Sequence, residues 1–114
     1  MSAPSPPLRA AVVGGGPGGL LAAEVLAREG VGVDLFDAMP SVGRKFLLAG
    51  RGGLNLTHSE GPEAFLARYG DRSDALREAI SAFGGDEVRR WAAELGIETF
   101  VGTSGRVFPT DMKA

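Results

Sequence analysis

The chain has 114 residues, a formal net charge of −2 and 44% hydrophobic residues, which describes at most one ordinary globular domain and excludes wholesale disorder. The acidic balance argues against a nucleic-acid surface. The absence of cysteine excludes disulfides, zinc-thiolate sites and redox dithiols, and no apolar run nears the roughly 20 residues that span a bilayer.

Residues 1–8 are rich in Pro and Ser and lack the basic region and apolar stretch of a signal peptide, so they read as a flexible tail of a cytoplasmic protein. Ala10 to Val13 then form an apolar run that stops at Gly14. Apolar on both faces, it predicts a buried parallel strand. A helix is predicted over 18–28, with Leu20, Leu21, Ala23, Val25 and Leu26 as its apolar surface and Gly30 as its stop. Val31 to Phe36 read as a second strand. Strand, helix and strand in this order predict an α/β fold, Rossmann-like but incomplete.

Glycine is the compositional anomaly, with 18 residues where average usage supplies about eight. Six positions of the first loop, Gly14-Gly15-Gly16-Pro17-Gly18-Gly19, match G-x-G-x-x-G between a strand and a helix. Asp37 follows Gly19 by 18 positions and closes the second strand. These are the confirming contexts of a dinucleotide-binding fingerprint. The lengths agree: ten helical residues descend roughly 15 Å, and six strand residues climb back roughly 20 Å to a neighbour about 5 Å away. Asp37 is therefore expected beside Gly14.

In this reading Gly14 permits the turn out of the strand. Gly16 lets a diphosphate approach bare backbone, and Gly19 lets the helix pack against the strand. Pro17 suits the helix start, and the amides there favour phosphate. Asp37 would accept ribose hydroxyls and disfavour a 2′-phosphate, pointing to FAD or NAD rather than NADP. Asp34, inside the strand, is the weaker acidic candidate. The plain alternative is that the glycines only make a tight turn. No G-x-x-x-x-G-K-[ST] occurs, so a Walker-type loop is not supported.

Residues 38–59 hold no acidic side chain but include Arg44, Lys45, Arg51, His58 and Gly43, Gly50, Gly52 and Gly53. A short helix is predicted over 44–49. Arg44 and Lys45 could neutralise a diphosphate, while Gly50, Gly52 and Gly53 could let main chain approach a flavin. Asn55 and Thr57 could hold the loop by local hydrogen bonds. The alternative for Arg44, Lys45 and Arg51 is a solvated basic face, and His58 reads as structural or exposed. Amphipathic helices are predicted over 63–69, 74–83 and 86–95. Gly84-Gly85-Asp86 is the turn and cap before the last, and Gly96 its stop. Trp91 reads as core. Glu87, Arg89, Arg90 and Glu94 read as an exposed face. Residues 99–101 and 106–108 are expected to pair as a hairpin, with Phe108-Pro109 marking a turn against the core.

Gly14 to Leu20, Asp37, Gly43-Arg44-Lys45 and Gly50-Arg51-Gly52-Gly53-Leu54-Asn55-Leu56-Thr57-His58 together resemble the N-terminus of HI0933-like (BaiN/YhiN-type) flavoproteins, especially their Gly-Leu-Asn-Leu-Thr-His subgroup. Gly105-Arg106-Val107-Phe108-Pro109, with Lys113-Ala114, resembles that family's next landmark. The resemblance implies an FAD-dependent oxidoreductase built on two dinucleotide-binding domains. It implies FAD held by the first strand–helix–strand unit, an inserted substrate domain, and a later return to the FAD domain. Residues 9–114 are thus expected to be the N-terminal part of a longer chain. Many family members read Gly-Gly-Gly-Arg-Cys-Asn-x-Thr-Asn in the second loop. Here Arg51, Gly53, Leu54 and His58 depart from that pattern, so no role resting on its arginine or cysteine is carried over.

The leading expectation is a flavoprotein moving hydride or electrons between FAD and a small-molecule substrate, with NAD(P)H a candidate partner. The alternatives are an NAD-dependent dehydrogenase and a non-redox nucleotide-binding module linked to tRNA modification. No catalytic acid or base, no metal site, and no nucleic-acid or membrane partner is assigned.

Overall fold

The computed structural model describes residues 5–50 and 53–112. The chain divides into two compact units, one ending at Ala49 and the other beginning at Gly50.

The first unit is the predicted strand–helix–strand. β1 (Arg9–Val13) and β2 (Gly32–Phe36) are parallel, in register from Arg9 opposite Gly32 to Val13 opposite Phe36. The crossover helix α1 (Pro17–Arg28) opens on Pro17, where a missing amide hydrogen costs little. It ends in a Schellman motif. Gly30 adopts φ +84°, its N–H donates to the Ala27 carbonyl and the Val31 N–H to that of Leu26, at 3.0 Å each. A short helix α2 (Arg44–Leu48) follows, entered through Gly43 at φ +71°.

Two expectations fail here for one reason. Val13 is 86% exposed and Phe36 57%, while Val12 and Leu35, on the opposite face, are half-buried. The helix covers one face of the sheet, so an apolar strand is not buried on both sides. Val25 likewise lies off the packed stripe of α1 and is half-exposed.

In the second unit, α3 (Pro62–Ala67), a 3-10 turn at Gly70–Arg72, α4 (Ser73–Ala82) and α5 (Gly85–Glu94) follow a two-residue strand, β3 (Thr57–His58). β4 (Thr99–Val101) and β5 (Arg106–Pro109) form the expected hairpin. β5 sits centrally in an antiparallel sheet of order β3-β5-β4. Leu54, Leu66, Ala92 and Val107 form the apolar core, with Val107 and Pro109 fully enclosed. Phe108-Pro109 therefore ends a strand, and the expected turn starts there, with the Pro109 carbonyl accepting the Met112 N–H at 2.9 Å. Proline is tolerated there because position 109, opposite Thr99, gives no amide to β4; the next N–H, that of Thr110, donates to the Glu98 carbonyl at 2.9 Å.

The charged face of α5 is also corrected. Arg90 and Glu94 are exposed, but Glu87 and Arg89 are half-buried. The Glu87 carboxylate accepts the Gly84 N–H at 3.0 Å, so Gly84 is the N-cap. Arg89 Nε donates to Thr99 Oγ1 at 3.0 Å, tying α5 to β4. Trp91 is half-buried. Gly96 ends α5 as expected, with φ +81°.

Candidate functional site

The loop between β1 and α1 is built from glycines with different physical reasons. Gly14 has φ +106°, a conformation that strongly favours glycine. Its N–H donates to the Phe36 carbonyl at 2.7 Å, adding one bond beyond the β1–β2 ladder. Gly15 is buried. A β-carbon there would stand 2.7 Å from Val42 Cγ1 and 2.8 Å from Asp37 Oδ2. At Gly19 a β-carbon would collide with the Gly14 carbonyl oxygen, so this glycine sets the close approach of helix and strand. Gly16 is the N-cap of α1, at φ −81° and ψ −175°, angles open to any residue. A β-carbon there would meet nothing within 4 Å, and the same holds at Gly18.

Asp37 sits where the length arithmetic places it. Its Oδ2 accepts the Gly15 N–H at 2.8 Å and its Oδ1 the Met39 N–H at 2.8 Å, the second closing an Asx turn. The Gly15 carbonyl accepts the Gly43 N–H at 2.7 Å. One loop is thereby fastened to the end of β2 and to the start of α2. The Met39 and Gly15 amides hold the Asp37 carboxyl below its usual range, Arg44 adds to this, and desolvation opposes it. Asp34 is not part of this cluster; it pairs with Arg9 at 2.8 Å on the uncovered face of the sheet.

These groups line a cavity of about 270 Å³. Gly14, Gly15, Gly16 and Pro17 form one side, and Asp37, Met39, Ser41, Arg44 and Lys45 the other. Arg44 Nη1 lies 3.4 Å from Ser41 Oγ. The mouth of α1 carries no side-chain cap and no acidic residue in its first turn. The partial positive charge of the helix start is therefore left unneutralised beside two cations and one carboxylate. Such a cavity suits an anionic group flanked by hydroxyls. The second unit holds a cavity of about 230 Å³ whose lining includes Glu60, Asp86 and Glu87, which would repel phosphate.

Seven of the fourteen residues expected at the site thus share one cavity, with Gly18 and Gly19 in the helix turn behind it. Gly50, Gly53 and Asn55 belong to the second unit. There Gly50 and Gly53 have backbone reasons of their own, with φ +76° and +151° and Leu54 and Met112 packed against them. Asn55, in the amide orientation that satisfies its surroundings, donates to the Thr57 carbonyl at 2.7 Å and to that of Val107 at 3.3 Å. Arg51 and Gly52 lie outside the described residues, as do Lys113 and Ala114. His58 accepts the Glu60 N–H at Nδ1, at 3.1 Å, which leaves Nε2 to donate to the Ser104 carbonyl, also at 3.1 Å. Both of its ring nitrogens are engaged within the second unit. Met39 and Ser41 were not foreseen as lining residues. The only signal for them was their place just after Asp37.

The chain matches the profile of the HI0933-like protein Rossmann domain over residues 8–114. It belongs to the HI0933-like family. The glycine loop, α1 and Asp37 therefore belong to an HI0933-like Rossmann domain, and the cavity lies at the turn between its β1 and α1. None of the curated proteins matches this chain significantly. Among the described residues no helix is long and apolar enough to cross a membrane.

The state of Asp37 sets an acid sensitivity for this HI0933-like domain. A carboxyl whose pKa is lower in the folded protein adds stability that is complete above the unfolded value, near 3.8, and is lost as pH falls through the folded value. Urea midpoints of the chain are expected to fall over that acidic window. The decrement should be smaller in Asp37→Asn, which has no charge to lose.

Proposed function

We propose that the first unit binds the adenosine diphosphate half of FAD and serves a flavin-dependent oxidoreductase. Gly16 carries this reading. Neither its backbone angles nor its surroundings within the chain call for glycine, yet it stands at the uncapped mouth of α1, on the wall of the cavity that Arg44 and Lys45 line. A diphosphate resting on bare main chain supplies the missing reason.

The residues present fit the cofactor. The Gly16, Gly18 and Gly19 amides open the helix without intrahelical acceptors, and Arg44 and Lys45 balance a diphosphate. Each Asp37 oxygen has a lone pair left for a ribose hydroxyl, and its charge repels a 2′-phosphate. When bound, the flavin supplies hydride and electron transfer at N5, while the protein contributes binding, orientation and electrostatics. The substrate is read as a small molecule and NAD(P)H as the candidate electron donor, in a cytoplasmic protein.

Titration of the full chain with FAD, NAD and NADP tests the proposal. FAD is expected to bind tightest and NADP weakest, with flavin absorbance and fluorescence perturbed on binding. Tighter binding of NAD than FAD would replace the flavin reading with that of a nicotinamide-dependent dehydrogenase. Binding of none of the three would remove the nucleotide reading.

A further inference from the structure

We propose that Asp37 is a positioning residue whose carboxylate sets the glycine loop in its phosphate-accepting shape before any ligand arrives, a role separate from contact with a ribose. The inference rests on the nucleotide reading of the cavity. It begins from the bonds around Gly15. That residue is held on three sides: its amide by Asp37 Oδ2 at 2.8 Å, its carbonyl by the Gly43 amide at 2.7 Å, and its Cα face by Val42 and Asp37, which leave no room for a side chain. The other carboxylate oxygen holds the Met39 amide at 2.8 Å. Asp37 thus joins the end of β2 to both loops that wall the cavity.

The arrangement divides the amides of the loop. The Gly15 N–H is committed to Asp37, so a diphosphate is left with the amides at the helix mouth. Those amides converge only if the turn before them keeps its shape. Gly14, at φ +106°, and Gly16, with open space on its Cβ side, provide little restraint of their own. Glycine backbone is the most costly to order, so a loop of three consecutive glycines benefits most from an external clamp.

The two roles of Asp37 predict opposite signs with a ligand that has no ribose. As a mere negative charge beside a phosphate site, Asp37 opposes inorganic pyrophosphate, and its neutralisation would tighten binding. As a clamp, it favours pyrophosphate although it never touches it. Asp37→Asn keeps the shape but turns one oxygen into an NH2 group facing an N–H donor, so at least one of the two clamping bonds is lost.

The experiment compares pyrophosphate and FAD binding to the full chain as wild type, Asp37→Asn and Asp37→Glu, with hydrogen exchange of the Gly15 and Met39 amides in the ligand-free protein. In Asp37→Asn, pyrophosphate affinity is expected to fall about tenfold, the scale of a lost charge-assisted hydrogen bond. The Gly15 amide, the Met39 amide or both are expected to exchange faster, and Asp37→Glu to recover part of the affinity and of the protection. Unchanged or tighter pyrophosphate binding in Asp37→Asn, with FAD alone weakened, would leave Asp37 a ribose contact and overturn the inference while the nucleotide reading stands. Unchanged exchange at both the Gly15 and the Met39 amide would overturn it equally. A wild-type chain that binds neither probe would overturn the nucleotide reading, and this inference with it.

Discussion

Gly16→Val is expected to abolish FAD binding and leave the protein folded. The valine would sit at the N-cap of α1 in extended geometry, at φ −81°, which a β-branched residue adopts freely. Its side chain would meet no atom of the chain near the Cβ position. The expected stability cost is that of a non-capping residue in place of glycine, below about 1 kcal/mol. The isopropyl group would instead occupy the approach to the helix amides, where a phosphate needs close contact with main chain. Loss of several hydrogen bonds to an anion, each worth about 1.5–3 kcal/mol, takes affinity below detection. Absorbance of the dialysed protein after incubation with FAD reads the first effect, and a thermal melt the second. Retained flavin would remove the diphosphate from this position. Lost flavin with a collapsed melt would show that Gly16 serves the fold.

Gly19→Ala should give the complementary result. One methyl group would drive into the Gly14 carbonyl oxygen, with Val12 Cγ1 only 3.4 Å away. Both obstacles belong to the strand–turn backbone or to the face that α1 packs on, so no flexible side chain can yield. The helix must move off the strand, an overpacking cost of about 3 kcal/mol. For a small unit built on two strands and one main helix, that is a large share of its stability. Chemical denaturation followed by circular dichroism should show the loss, and FAD binding should disappear with it. A variant as stable as wild type would show that the helix can withdraw without penalty. The two glycines stand three positions apart in one motif, and the contrast separates their purposes: one keeps space for a ligand and the other keeps the fold closed.

The strand–helix–strand was legible because both ends of each element carry a chemical mark. Apolar β-branched runs stop at Gly14 and Asp37, Pro17 opens the helix, and Gly30 closes it. The position of Asp37 followed from element lengths alone. β3 was not legible. Thr57-His58 becomes a strand only because β5 lies alongside, a pairing across about 50 residues that local pattern does not carry. Arg89 was read as solvated because its partner, Thr99, lies in a different element. The exposure of Val13 and Phe36 was missed because hydrophobicity shows what a residue can bury and not what covers it. At the site, the sequence marked Gly14, Gly16, Gly19 and Asp37. The clamp from Asp37 to Gly15 was not visible, because a motif letter does not say which amide a carboxylate takes.

Amide chemical-shift mapping of the full chain during titration with FAD tests the central claim most directly. The account predicts the largest shifts at Gly16, Gly18 and Gly19, with accompanying changes at Arg44 and Lys45. Shifts that leave the turn into α1 untouched and gather in the second unit around His58 and Glu87 would contradict it.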